Sequence, residues 1–202
     1  MSRQGSETGA MSGALRRRQV VARLLEARST LLVVAGLGSA AWDCTAAGDS
    51  PLTFPLWGGM GNAAMVGLGL ALARPSRRVL VITGDGEMLM GLGGLATIAV
   101  QQLANLAIAV IDNERYGETG MQPTHTASGV DLAAVALACR FRAARIVRTA
   151  AELEPARRAL LEEPGPVLVQ IKVAAEQLPL VLPPREGAVL KDRFRKALLG
   201  PG

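Results

Sequence analysis

The chain has 202 residues, of which 50% are hydrophobic and 19% are charged, and this balance argues against a disordered protein. Aromatic residues make up only 3%, and the net charge of +5 comes mostly from scattered arginines, so nucleic-acid binding is not expected. Two cysteines and one histidine are too few for a zinc cage, and no apolar run is long enough to span a membrane. Residues 1–10 carry no apolar signal segment, so the expected location is the cytoplasm.

The first half of the chain predicts strands and helices in alternation. Residues 1–12 are polar and are expected to form a disordered leader. Residues 15–28 have apolar side chains at helical spacing, and residues 31–35 form a wholly apolar run, typical of a parallel strand buried on both faces. A turn at residues 36–39 follows. A helix rich in glycine and alanine then ends at Pro75, before a second apolar strand at residues 79–83.

The second half continues this pattern. Helices are predicted over residues 88–103, 131–139 and 150–163, and strands over residues 106–111, 142–147 and 167–173. Strands that alternate with helices indicate a three-layer α/β/α fold with a mostly parallel central sheet. We expect one domain over residues 13–175 and a C-terminal tail over residues 176–202, with a short basic helix at residues 187–199.

Two polar motifs follow neighbouring predicted strands. Gly84-Asp85-Gly86 comes directly after the strand at residues 79–83, where glycines let backbone amides approach an anion and the aspartate offers a ligand for Mg²⁺ or Ca²⁺. Asn113 follows the next strand, 28 residues after Asp85. A strand–helix–strand unit brings both residues to the same edge of the sheet, where parallel sheets bind ligands. The spacing therefore predicts a cation site that holds a diphosphate.

These motifs resemble the diphosphate-binding (PP) domain of thiamine-diphosphate enzymes. The resemblance covers about residues 15–173, and within the family it points to sulfopyruvate decarboxylase beta subunits and phosphonopyruvate decarboxylases. It is carried, in chain order, by Gly58-Gly59-Met60-Gly61, Gly84-Asp85-Gly86, Asp112-Asn113, Tyr116-Gly117, Thr119-Gly120 and Gln122-Pro123-Thr124-His125-Thr126.

The resemblance implies thiamine diphosphate and Mg²⁺ as cofactors. The side chains of Asp85 and Asn113 and the main-chain carbonyl of Arg115 would bind Mg²⁺. His125 would be the catalytic candidate, either binding a second acidic group of the substrate or moving a proton. The other residues that the resemblance places at the cofactor are Gly58, Gly59, Met60, Gly84, Gly86, Glu87, Tyr116, Gly117, Glu118 and Thr119.

The implied activity is decarboxylation of an anionic 2-oxo acid such as sulfopyruvate or phosphonopyruvate. Family members also need a glutamate from a pyrimidine-binding (PYR) domain, for which the predicted elements leave no room. We therefore expect a separate alpha-type subunit with a PYR domain, in a homodimer or heterotetramer. An acetolactate-synthase-like carboligase subunit and a non-catalytic cofactor-binding scaffold are the alternatives.

Several side chains near these motifs also have simpler interpretations. Glu87 would be a helix N-terminal carboxylate that favours the helix dipole. His125 would be an ordinary surface residue. The arginines Arg17, Arg18 and Arg193 would lie on solvated faces, and both cysteines would be small buried hydrophobic residues.

Overall fold

The computed structural model describes residues 14–200, so the leader predicted over residues 1–12 lies outside the described residues. Six strands of the described chain form one sheet in the order β2-β1-β3-β4-β8-β7, and β5 and β6 form a short antiparallel hairpin. All pairings within the six-stranded sheet are parallel. The strands are β1 (Leu32–Ala35), β2 (Thr53–Pro55), β3 (Val79–Gly84), β4 (Leu106–Asp112), β5 (Arg115–Tyr116), β6 (Gln122–Pro123), β7 (Ala143–Val147) and β8 (Val167–Lys172).

Helices cover both faces of this sheet. They are α1 (Arg17–Leu24), α2 (Ser39–Ala46), α3 (Ala63–Ala73), α4 (Asp85–Met90), α5 (Gly94–Gln101), α6 (Leu132–Ala138), α7 (Ala150–Glu162) and α8 (Gly187–Leu199). Alternate residues of a strand point to opposite faces, so Val33 belongs to the apolar core that includes α1, α2 and α7, and Val34 belongs to the core that includes α3, α5 and α6. Two apolar cores on either side of one sheet confirm the predicted three-layer fold.

The direction in which strands are added to the sheet reverses at β1. The strand β2 lies on one side of β1, and β3 lies on the other. The connection after β1 and the connection after β3 therefore run toward opposite edges of the sheet. A crevice forms at the carboxyl ends of the strands at such a point, and open α/β sheets bind their ligands there. The topology therefore places a ligand site after β1 and β3.

The helix predicted over residues 88–103 is instead two helices, α4 and α5, and α4 begins at Asp85. The break lies at Gly91, whose backbone packs against the loop before α3. A Cβ atom at Gly91 would lie 2.0 Å from the carbonyl oxygen of Gly61. A continuous helix at this position would lose that backbone approach, so a long-range contact overrides the local helical pattern.

The C-terminal segment packs against the edge of the sheet. The helix predicted at residues 187–199 forms as α8, and its Phe194 ring meets Phe54 of β2 edge to face, with 5.5 Å between the ring centres. Arg193, whose side chain is 24% exposed, forms an ion pair with the exposed Asp49. The helix thereby covers an edge strand that would otherwise expose unpaired backbone groups.

One arginine of α1, Arg17, differs from its predicted solvated position. Arg17 is buried and pairs with the buried Asp43, whose second oxygen accepts from Nε of Arg18 at 2.9 Å. The two guanidinium groups on this carboxylate connect α1 to α2. The sequence pattern did not predict the helix α2.

Within residues 14–200, no helix combines the length and the hydrophobicity that crossing a membrane requires.

Candidate functional site

A cleft of about 640 Å³ opens at the carboxyl ends of β1, β3 and β4. This volume is in the range of sites that bind cofactors and small substrates. Of the residues predicted from the sequence to form a site, the cleft is lined by Met60, Gly84, Asp85, Gly86, Glu87, Asn113, Arg115, Tyr116, Gly117, Glu118 and Thr119. The reversal of strand order and the predicted motifs thus lead to the same place.

Asp85 and Asn113 come together because β3 and β4 are adjacent and parallel. Gly84, the last residue of β3, pairs in register with Ile111 of β4. After β4, the side chain of Asn113 accepts a hydrogen bond from the backbone amide of Arg115 at 3.0 Å, which turns the chain sharply. The strand ends therefore place a carboxylate and an amide oxygen in the wall of one cleft.

The carboxylate of Asp85 is held from behind by two hydroxyl groups. Its Oδ2 accepts from Oγ1 of Thr124 at 2.5 Å and from Oγ1 of Thr126 at 3.2 Å, and the residue is 2% exposed. Burial raises the pKa of Asp85 to about 6, against the effect of the Thr124 bond, and the charge of nearby Asp112 adds to the rise. The raised pKa means that folding disfavours the ionised form of Asp85. A cation bound beside the carboxylate would stabilise that ionised form.

Behind the threonines lies a second buried carboxylate, Asp112. Its Oδ2 is 2.6 Å from Nε2 of Gln170 and 2.8 Å from Nζ of Lys172. Burial works against the charge of Lys172, but its bonds to Asp112 and Glu114 outweigh this effect and raise its pKa. The sequence pattern assigned no role to this network, since glutamine and lysine on a predicted strand carry no local signal.

Glu87 lies in the first turn of α4, as expected, but its carboxylate is buried rather than solvated. Its Oε2 accepts from Oγ1 of Thr83 at 2.7 Å and from the amide of Leu37 at 3.1 Å, and its Oε1 has no hydrogen-bond partner in the part of the chain that the structure describes. Burial raises the pKa of Glu87, against the effect of these donors and of nearby backbone amides. The side chain also fills the space beside Gly36, where a Cβ atom would lie 1.9 Å from Oε2.

The loop after β4 lies across the cleft. The ring of Tyr116 packs on the first turn of α4, where a Cβ atom on Gly86 would lie 2.5 Å from the ring. The side chain of Glu118 reaches the turn after β1, where a Cβ atom on Gly38 would lie 1.7 Å from its Oε1. Gly38 also has a φ of +75°, which favours glycine, whereas a side chain on Gly86 would have to displace the ring of Tyr116.

Three predicted site residues do not line the cleft. Gly58 and Gly59 lie in an exposed loop ahead of Met60, and His125 is also exposed. In the other direction, the cleft includes residues that the sequence did not indicate. They are Arg17, Leu37, Ser39, Trp42, Met90, Ile111, Met121, Glu176, Gln177, Leu178 and Leu180.

Comparison with known families agrees with this geometry. Residues 38–171 match the family model described as thiamine pyrophosphate enzyme, C-terminal TPP binding domain. The chain belongs to this family. The match covers most of the residues that line the cleft, including both strand ends that carry Asp85 and Asn113.

Relatives of this thiamine pyrophosphate-binding domain include whole subunits and parts of longer chains. Sulfopyruvate decarboxylase subunit beta of Methanothermobacter thermautotrophicus is 36% identical over 186 residues, 92% of this chain and 97% of that protein. Phosphonopyruvate decarboxylase of Streptomyces viridochromogenes is 38% identical over 170 residues, 84% of this chain but 42% of that protein. The crystal structure of benzoylformate decarboxylase from Polynucleobacter necessarius shares the fold, with a TM-score of 0.72 and 22% identity over 88% of this chain and 36% of that one.

The residues of this thiamine pyrophosphate-binding domain fit a divalent cation beside a diphosphate. Asp85 and Asn113 offer oxygen atoms, which Mg²⁺ prefers, and the threonine hydroxyls occupy only Oδ2 of Asp85. No group of three or more His, Cys, Asp or Glu side chains within residues 14–200 could hold a metal ion. A cation at Asp85 would therefore rely on amide and main-chain oxygens as further ligands.

Proposed function

We propose that this chain is the diphosphate-binding subunit of a decarboxylase that uses thiamine diphosphate and Mg²⁺ on an anionic 2-oxo acid. The observation that carries the proposal is the buried carboxylate of Asp85, held by hydroxyls beside Asn113 in the cleft of a chain of this family. The match to almost the whole length of a sulfopyruvate decarboxylase beta subunit supports the reaction and the division into subunits.

The chain's own groups would hold the cofactor. Asp85, Asn113 and the carbonyl of Arg115 would bind Mg²⁺, and the backbone amides of Gly86 and Glu87 would donate to the diphosphate. When bound, thiamine diphosphate supplies the electron sink for loss of CO₂ from a 2-oxo acid. Met60 would support the cofactor from the cleft wall, and the loop at residues 116–119 would shield the site from water.

A second anionic group on the substrate would bind the side chain of Arg115. Arg17 and Arg115 are the basic residues lining the cleft within the described chain, and the charge of Arg17 is already matched by Asp43. The guanidinium of Arg115 donates to the carbonyl of Glu114 at 2.9 Å and forms no ion pair with a carboxylate of residues 14–200. Its remaining N–H groups are free to donate to a sulfonate or phosphonate. His125, the residue that the sequence suggested for this role, is exposed and does not line the cleft.

The proposed role of the Arg115 side chain can be tested by comparing substrates with and without a second anionic group. Arg115→Gln should raise KM for sulfopyruvate or phosphonopyruvate by about 10- to 100-fold, the cost of a hydrogen bond to a charged group. The variant should leave KM for pyruvate, which lacks the second anion, almost unchanged. Arg115→Lys should recover part of the loss, since it restores the charge without the planar fork. An equal rise in KM for pyruvate would contradict the assignment.

A partner subunit would cover the outer face of α3 and α5. The eleven residues of α3 include no polar side chain, and helices that are apolar all round are normally buried. Yet Val66 is 36% exposed, and Val100 of α5 is 78% exposed. Met90, which is 65% exposed, borders this α3–α5 face and also lines the cleft. A PYR-domain subunit docked on the α3–α5 face would therefore reach the rim of the site.

The position of the interface can be tested by introducing a charge. Val100→Glu should abolish assembly with a recombinant PYR-domain subunit, as measured by light scattering after gel filtration. Val189→Glu is the matched control, because Val189 is also exposed, at 55%, but lies on α8. Assembly that survives Val100→Glu would place the partner elsewhere.

The reaction itself is tested by measuring CO₂ release from a panel of 2-oxo acids. The chain and its PYR-domain subunit should release CO₂ only together, and only with thiamine diphosphate and Mg²⁺. Asp85→Ala should abolish this release. Formation of a carbon–carbon bond between two 2-oxo acids would instead indicate a carboligase, and full turnover by this chain alone would refute the need for a partner.

A further inference from the structure

The two threonines behind Asp85 join it to the second buried carboxylate. Oγ1 of Thr124 lies 2.5 Å from Oδ2 of Asp85, and the two threonine oxygens lie 2.9 Å apart. Oγ1 of Thr126 lies 2.8 Å from Oδ1 of Asp112 and 3.2 Å from Oδ2 of Asp85. All four residues are buried, so water does not compete for these contacts.

The number of protons in this network limits how it can be bonded. Each hydroxyl has one proton to donate, and ionised carboxylates only accept. Two hydroxyls can serve Asp85 and Asp112 with one bond each, or one threonine can donate to the other, so that only one of the two carboxylates receives a threonine proton. The hydrogen bonding of Asp85 is therefore coupled to that of Asp112.

Asp112 is itself fixed by the sheet. It ends β4, and Nε2 of Gln170 and Nζ of Lys172 approach its Oδ2 from the neighbouring strand β8. The backbone amide of Glu114 donates to its Oδ1 at 3.0 Å. Thr126 thus bonds a group that the sheet holds in place, whereas Asp85 lies at the start of the short helix α4.

We propose that Thr124 and Thr126 are positioning residues for the divalent cation of the proposed function, on which this inference rests. The hydroxyl of Thr124 donates to Oδ2 of Asp85 and leaves Oδ1 for the cation, while Thr126 donates its one proton to Asp112 on the sheet, at 2.8 Å, and its oxygen packs against Thr124 and Oδ2 of Asp85. Removing a group that orients a metal ligand typically weakens metal binding by about 10- to 100-fold. The same loss is expected for either threonine hydroxyl.

The test measures metal binding directly, without turnover. Free Mn²⁺, which takes the same kind of oxygen ligands as Mg²⁺, is followed by electron paramagnetic resonance during titration of the assembled subunits with thiamine diphosphate present. Thr124→Val and Thr126→Val remove a hydroxyl and keep the side-chain shape, whereas Thr124→Ser and Thr126→Ser keep the hydroxyl. Thr45→Val is the matched control, because among residues 14–200 the hydroxyl of Thr45 bonds only the carbonyl of Ala41, at 2.9 Å.

We expect both valine variants to bind Mn²⁺ about 10-fold more weakly or worse, and both serine variants to recover binding close to that of the wild type. Urea unfolding of the same variants separates a structural role, since lower stability with unchanged Mn²⁺ affinity would overturn the inference. Serine variants as weak as the valine variants would also overturn it. A wild type that binds no Mn²⁺ would refute the proposed function itself, and the inference with it.

Discussion

Asp85→Asn should stabilise the metal-free and cofactor-free chain at neutral pH. Burial raises the pKa of Asp85 from its ordinary 3.8 to about 6, which corresponds to about 3 kcal/mol of unfolding free energy once the group is ionised. Below about pH 3 the carboxyl is protonated in both the folded and the unfolded chain, so it costs nothing. Between pH 4 and pH 6 the unfolded chain releases the proton first, and stability falls as the pH rises.

The asparagine side chain does not ionise, and its amide oxygen still accepts from the hydroxyls of Thr124 and Thr126. The difference in unfolding free energy between variant and wild type should therefore be near zero at about pH 3 and grow to about 3 kcal/mol at pH 8. Urea unfolding in the presence of a chelator, at several pH values, measures this difference. Glu162→Gln, at an exposed carboxylate of α7, is the control and should show no such pH dependence.

Two results would refute this reasoning. One is a stability difference that does not change with pH, and the other is a variant less stable than the wild type at pH 8 without divalent cations. Addition of Mg²⁺ and thiamine diphosphate should reverse the order. At 1,000 times the dissociation constant the wild type gains about 4.1 kcal/mol, which exceeds its deficit of about 3 kcal/mol, while the variant, which lacks the charge, gains almost nothing.

The remaining predictions concern packing and thiol reactivity. Gly91→Ala should destabilise the chain by about 1–3 kcal/mol or more in urea unfolding, because its Cβ atom would meet the carbonyl oxygen of Gly61 at 2.0 Å. Gly93→Ala is the matched variant, with open space around the Cβ atom and a φ of −61°, and should be neutral or stabilising by about 0.4–1 kcal/mol. Burial raises the pKa of the Cys44 thiol to about 12, so at pH 8 a thiol reagent should modify the half-buried Cys139 first and Cys44 only on unfolding. Equal rates for both thiols in the folded chain would contradict this prediction.

The strands of the sheet follow from local sequence. Those predicted at residues 31–35, 79–83, 106–111 and 167–173 form as β1, β3, β4 and β8 within one residue at each end. Their side chains are mostly apolar on both faces because helices cover both faces. This pattern needs no knowledge of the partner strands, so it is readable from the sequence.

Other elements depend on contacts between distant residues. The edge strand β2 has three residues and includes Pro55, so it has no strand pattern of its own and exists by pairing with β1. The short helix α2 buries small side chains and Asp43, and no side chain caps its N-terminus. It is held by the arginines of α1. No local pattern predicts such an element.

The sequence by itself determined the α/β/α layers and the strand ends that carry Asp85 and Asn113. Periodicity and short motifs are local properties, and parallel strands necessarily align their carboxyl ends. Only the tertiary structure decided which side chains reach Asp85, because Thr124 and Thr126 are 39 and 41 residues away along the chain. It also decided that Arg17 is buried and that His125 is exposed. Hydrogen bonds require a direction and a distance of about 3 Å, and these are set by how the layers stack rather than by residue type.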